Sequence, residues 1–347
     1  MSRRIAAGVA LGFAVAALLV GPATAQAYKA PRNGFGQPDL EGVWTNASVT
    51  QLERPAQFKS LVITEAQARA LEQGMARMLA ADANPSDPNA PAPKSGGDPG
   101  GYNSFWIDAG TRMGSIEGEY RSSWIVEPAD GKLPYSPAGR ALFAAEVRKI
   151  QTNFDGPEGR QLAERCLLGF GSTAGPPMMN VLYNNMYQIQ QARDHLVIVV
   201  EMNHDARIVR LMANGADKRR PASHVRPWMG DSIGWWEGDT LVVETTHFNP
   251  GEQLRPGIPT TFYVSQDAKV TERFTRVSPT QIRYAFTVDD PKVYSTVWRG
   301  EMPFNATKGP VYEYACHEGN YSLPGILAGA RRTEADGGKV EAVVVGE

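Results

Sequence analysis

The chain has 347 residues, 21% of them charged, and a formal net charge of −2. A balance this close to neutral, with no Lys/Arg cluster interleaved with aromatics, excludes a nucleic-acid binder. The one basic triplet, Lys218-Arg219-Arg220, lies in a polar stretch and reads as a solvated turn. With no P-loop or Rossmann fingerprint, no nucleotide cofactor is expected.

In chain order, Arg3 and Arg4 precede an apolar run over residues 5–20, followed by small-x-small sites at Ala23-Thr24-Ala25 and Ala25-Gln26-Ala27. This is the layout of a secretory signal peptide, residues 1–27. A retained anchor would need about twenty apolar residues, whereas this run stops at Gly21-Pro22, and no Cys follows it to carry a lipid. The expectation is export to a periplasm with no stable membrane anchor after cleavage. Loss of Arg3 and Arg4 takes the formal charge from −2 to −4. In an oxidising compartment the two cysteines, Cys166 and Cys316, are expected to form one disulfide across a long loop. A nucleophilic Cys316 beside His317 is the weaker alternative.

Residues 39–44 predict a short entering strand. Thr64-Glu-Ala-Gln67 is a capping box opening a helix to about Leu79. Residues 82–101, almost entirely Ala, Asp, Asn, Pro, Ser, Gly and Lys, read as a loop or disordered insert. Ser136-Pro137 starts a second helix to about Gln151. Beyond residue 180 the texture becomes β: strands are predicted at 186–190, 195–202, 208–212, 240–248, 270–277, 282–288, 294–298 and 311–316. The Trp235-Trp236-Glu237-Gly238-Asp239 run marks a hairpin. The fold class is therefore mainly β, an antiparallel β-barrel or sandwich of lipocalin-like kind (residues 180–347). An N-terminal helical and irregular cap (residues 28–179) packs on it.

Only five histidines occur, and two of them stand beside carboxylates at strand ends, in Glu201-Met-Asn-His204-Asp205-Ala-Arg207 and Tyr314-Ala-Cys316-His317-Glu318-Gly-Asn320-Tyr321. Alternation would put Glu201, Asn203, Asp205 and Arg207 on one face, and Met202, His204 and Ala206 on the other. A bulge at Asn203 would let Glu201 and His204 meet. Three roles stay open for His204 and His317: ligands of a divalent metal with Glu201, a general acid/base pair oriented by Asp205 and Glu318 with Arg207 stabilising an anion, or struts that lock the barrel rim. Trp228, Trp235, Asn320 and Tyr321 are candidate substrate-binding residues, with ordinary cross-strand packing the competing account of the tryptophans. Asp231-Ser232 is better read as a turn than as a nucleophile, because G-D-S-x-G is not the G-x-S-x-G elbow. His195 looks structural, and His224 and His247 read as surface groups near the hairpin.

Three runs are longer than any generic motif: Glu201 to Arg207, Gly230-Asp-Ser-Ile-Gly-Trp-Trp-Glu-Gly-Asp-Thr-Leu-Val-Val-Glu-Thr-Thr246, and Tyr312-Glu-Tyr-Ala-Cys-His-Glu-Gly-Asn-Tyr321. Over residues 160–335 the chain resembles a large group of exported bacterial proteins of unknown function, common in acidobacteria and sphingomonad-like proteobacteria. The resemblance implies an exported, β-rich protein. In that group Asn often stands where this chain has His247, and Gly-Arg-Trp where it has Gly234-Trp235-Trp236. The functional expectation is a periplasmic hydrolase or lyase acting on a small molecule or glycoside. The rival is a non-catalytic, lipocalin-like carrier of a hydrophobic ligand.

Overall fold

Apolar residues alternate along most strands of the second half of the chain because each strand turns one face to a shared interior. In chain order the elements are β1 (Gly42–Thr45), β2 (Val62–Ile63), α1 (Glu65–Asp82), β3 (Ser115–Ile116), β4 (Glu119–Arg121), β5 (Ile125–Glu127), α2 (Pro137–Thr152), β6 (Met186–Gln191), β7 (His195–Val200), β8 (Ala206–Leu211), β9 (Asp231–Glu237), β10 (Thr240–Thr246), β11 (Leu254–Arg255), β12 (Phe262–Tyr263), β13 (Lys269–Ser278), β14 (Gln281–Asp289), β15 (Trp298–Ala306) and α3 (Ser322–Ala335). The structure, a computed structural model, describes residues 28–82, 89, 108–169, 173, 175–251, 253–255 and 257–338. The expected signal peptide and almost all of the 82–101 loop lie outside these residues.

Nine strands close into a barrel in the order β1-β6-β7-β8-β9-β10-β13-β14-β15, with β15 pairing back onto β1 and β5 adding to β15 outside the ring. The β-barrel expectation holds, with one correction to the antiparallel meander: β8 and β9 run parallel, Val209 opposite Ser232. An odd ring cannot alternate direction all the way round, so at least one neighbouring pair must run parallel. A parallel step needs a long return, and residues 212–230 supply it. The basic triplet fastens this return to the outer wall. Lys218 and Arg220 each reach Glu244 at 2.8 Å, and Arg220 and Arg210 both hold Asp231. Arg219 stays exposed, paired with its neighbour Asp217.

The division expected at 179/180 is not a boundary in the fold. β1 is a stave of the barrel, set between β6 and β15. Met178, Met179 and Asn180 are buried, and the Met178 N–H donates to the Tyr284 hydroxyl at 2.9 Å. The last stave is also displaced from its predicted place, lying at Trp298–Ala306 rather than 294–298. Pro303 and Gly300 disguise it. Pro303 is accommodated because the outer edge of β15 is shared: β5 pairs at Arg299 and Gly300, β1 at Asn305 and Ala306, and Pro303 falls between them.

Two helices begin where their capping signals lie. Thr64 and Gln67 bond reciprocally, Gln67 N–H to Thr64 Oγ1 at 3.3 Å and Thr64 N–H to Gln67 Oε1 at 2.9 Å. Ser136 Oγ accepts from the Gly139 N–H at 2.9 Å, with Pro137 in the first turn. α3 is not signalled in the sequence, since Pro324, Gly325 and Gly329 all disfavour helix. Arg331 docks it by donating to the carbonyls of Phe154 and Asp155. No helix among the described residues is long and apolar enough to cross a membrane.

Side chains fill the barrel axis, in contrast to the open calyx of a lipocalin-like carrier. Trp44, Tyr187, Phe274, Tyr284 and Phe304 are buried, with Tyr187 stacked on Phe304 at 5.0 Å. Among them Arg207 forms a bidentate ion pair with Glu272, whose Oε1 also accepts from the Tyr284 hydroxyl at 2.8 Å. The Ser232 and Thr245 hydroxyls accept further guanidinium N–H groups at 3.1 and 2.9 Å. Burial opposes the charge on Arg207, but the facing Glu272 carboxylate outweighs it and raises the guanidinium pKa.

Candidate functional site

Residues 201–205 do not extend the strand before them. β7 ends at Val200, β8 starts at Ala206, and the residues between form a tight turn closed by the Val200 N–H on the Asp205 carbonyl at 2.7 Å. Asn203 (φ 58°) and His204 (φ 45°) both occupy the left-handed region. Asn tolerates it through its short polar side chain, whereas His pays a strain that tends to collect at functional turns. The alternation predicted across this run therefore breaks. Glu201 and Asn203 are buried, His204 is exposed, and Arg207 turns into the barrel interior. Arg207 is committed to Glu272 and is not a rim group available to stabilise an anion beside His204.

Residues 311–316 are likewise not a strand. They run without a ladder partner among the described residues and, together with the turn that follows to Asn320, are held by three ties. Cys316 forms the expected disulfide with Cys166 across a separation of 150 residues. The Tyr312 N–H donates to Glu201 Oε1 at 3.0 Å, and the Asn320 amide donates to the Glu164 carbonyl at 2.7 Å. These ties set the segment against the β7–β8 turn, and a groove of about 920 Å³ lies between them and the start of β6.

The charged lining of this groove is acidic: Asp108, Glu164, Glu201 and Glu313, with no Lys, Arg or His among the described residues that line it. Tyr183, Tyr312 and Tyr314 supply its aromatic surface. Glu164 is neutralised by the Arg160 guanidinium at 2.8 and 3.0 Å. Asp108 is fixed through its main chain, its N–H on the Leu182 carbonyl and its own carbonyl accepting from Asn185. Asp108 stays exposed at the groove, and partial desolvation raises its carboxyl from the ordinary value. Glu201 is only 2% exposed. One of its oxygens takes the Tyr312 N–H, the other has no donor among the described residues, and the residue lines the groove.

The remaining predicted residues surround the groove or lie away from it. Asp205 faces the other side of its turn and accepts from the Gly169 N–H at 2.9 Å. Burial raises its carboxyl to about 6, against the opposing pull of Gly169, Asn203 and His204. His317 and Glu318 are exposed between two groove residues, Cys316 and Gly319, without lining it themselves. Asn320 does line it, and Tyr321 stands 83% exposed beside it. Neither tryptophan lines the groove. Trp228 lies against Gly251. Trp235 packs on the outer wall with Ile233, Val242 and Met212, its indole N–H on Glu237 and the Lys218 ammonium 4.3 Å from its ring centre. Ser232 is a buried barrel side chain. Among the described residues no three His, Cys, Asp or Glu side chains come close enough to share an ion, so His204, His317 and Glu201 are not assembled as a ligand set.

A second hollow of about 500 Å³ carries Lys132 and Arg140, both already engaged, the one with Glu53 and the other over the Tyr135 ring. Sequence reasoning missed Asp108 and Tyr183, whose part in the groove is purely tertiary. It also missed Glu272, although a lone acid in the alternation Val270-x-Glu272-x-Phe274, facing a lone Arg207 before Val209, is a legible sign of an interior ion pair. Among known proteins no family model, no curated protein and no solved structure matches the chain.

Proposed function

We propose that the protein is an exported, periplasmic hydrolase or lyase that acts on a small polyhydroxylated molecule or glycoside in the groove at the disulfide-tied end of the barrel. One observation carries the reading: a single groove brings the carboxyls of Asp108 and Glu313 together, both on exposed residues, with partial desolvation raising that of Asp108 from its ordinary value. Two carboxyl groups in different electrostatic surroundings can divide acid and base roles between them. Asp108 would give its proton to the leaving oxygen, while Glu313 draws a proton from water or from the substrate carbon. Tyr312, 63% exposed, offers a face for a sugar ring. Asp205, raised to about 6 beside His204, is the second acid/base candidate, with His317 and Glu318 at the groove mouth.

The rival reading, a carrier holding a hydrophobic ligand in the barrel, has the packed interior against it. Turnover of a panel of aryl glycosides, followed by chromophore release and mass spectrometry, tests the proposal. Asp108→Asn and Glu313→Gln are each expected to lose about a hundredfold or more in rate with little change in melting temperature. Retained rates in both variants, with loss in Asp205→Asn or His204→Ala, would move the chemistry out of the groove. Binding without turnover by any member of the panel would favour a carrier.

A further inference from the structure

Four carboxylates are buried among the described residues: Glu72, Glu201, Glu272 and Asp290. Glu72 faces Arg69 and Arg112, and Glu272 faces Arg207. Asp290 takes the Ser265 N–H and hydroxyl at 2.7 and 2.9 Å. Glu201 alone among them takes a single backbone N–H, meets no cation among the described residues, and lines a cavity. A buried charge with so little compensation is costly unless a partner arrives.

We infer that the groove's ligand carries a protonated amine, an amino sugar or comparable polyhydroxylated ammonium, whose charge is read by Glu201. The inference rests on the proposed glycoside reading and adds the charge of the substrate. The ammonium would donate to the Glu201 oxygen that the Tyr312 N–H leaves untaken, while the exposed Tyr312 ring offers a face that attracts a cation. Glu313, exposed at the same groove and without an ion-pair partner among the described residues, adds a longer-range pull. No Lys, Arg or His stands among the described lining residues, so a negatively charged ligand finds no cation there to favour it.

Calorimetric titration of the full chain with a matched trio tests this: a chitosan trisaccharide, its fully N-acetylated counterpart and cellotriose, at mildly acidic pH and at low and high salt. The cationic trisaccharide is expected to bind at least about tenfold tighter than either neutral one, with the advantage shrinking as salt rises. Glu201→Gln retains an acceptor for the Tyr312 N–H, so the variant keeps that tie while losing the charge, and it should erase the preference. Glu313→Gln, at an exposed position, should reduce the preference without touching the core. Equal or tighter binding of the neutral sugars would overturn the charge assignment and leave the glycoside reading standing. Failure of all three to bind would overturn both.

Discussion

Glu201 and Arg207 flank one turn yet meet opposite electrostatic fates. Arg207 is enclosed with its counter-ion, whereas Glu201 faces a groove without one. Arg207→Met should cost about 3–5 kcal/mol because Glu272 is left charged and buried, while pairing it with Glu272→Leu should recover most of that loss. Urea midpoints of the two variants decide it. Asp205 makes a different prediction. Its carboxyl is raised in the fold, so the folded chain holds the proton more strongly than the unfolded one. The stability of the neutral form is whole below the ordinary carboxylate range and is lost as pH rises through about 6. Asp205→Asn, neutral throughout, should exceed the wild type by about 2 kcal/mol above that pH, allowing for its partial exposure, and match it near about pH 4. Unfolding titrations at both pH values check the sign.

At the level of elements, close approach matters as much as propensity. α2 lies so near Val293 that an added methyl at Gly139 meets backbone rather than a side chain able to swing aside. Gly139→Ala should therefore destabilise by about 2–3 kcal/mol despite its better helix propensity, measurable as a lowered melting temperature. What the sequence made legible follows the same division between local and distant causes. The capping box at Thr64 and the Ser136-Pro137 start are written within four residues and could be read directly. The β9–β10 hairpin is as local, with Gly238 at φ 60° in its turn. The alternation at 311–316 looked like a strand, but pairing is a property of two segments, and no partner comes. The turn at 201–205 was hidden because nothing in its composition announces left-handed backbone at His204. Of the candidate site, the two motifs that border the groove were visible. Asp108, brought in from far along the chain, was not.

For the whole molecule, the Cys166–Cys316 link joins the covering segment to the middle of the chain. Replacing both cysteines by serine should cost about 3–5 kcal/mol and open residues 311–321 to limited proteolysis, with the barrel staves protected longer. The position of β1 carries a consequence for assembly. Its two neighbours are β6 and β15, so the earliest stave to be synthesised finds its second edge only when the latest has been made. Until then the growing chain is an open ribbon with two unsatisfied margins, exposed to mispairing with other chains. Closure of the ring thus waits on its last stave: β1 can pair with β15 only once the chain has reached residue 306.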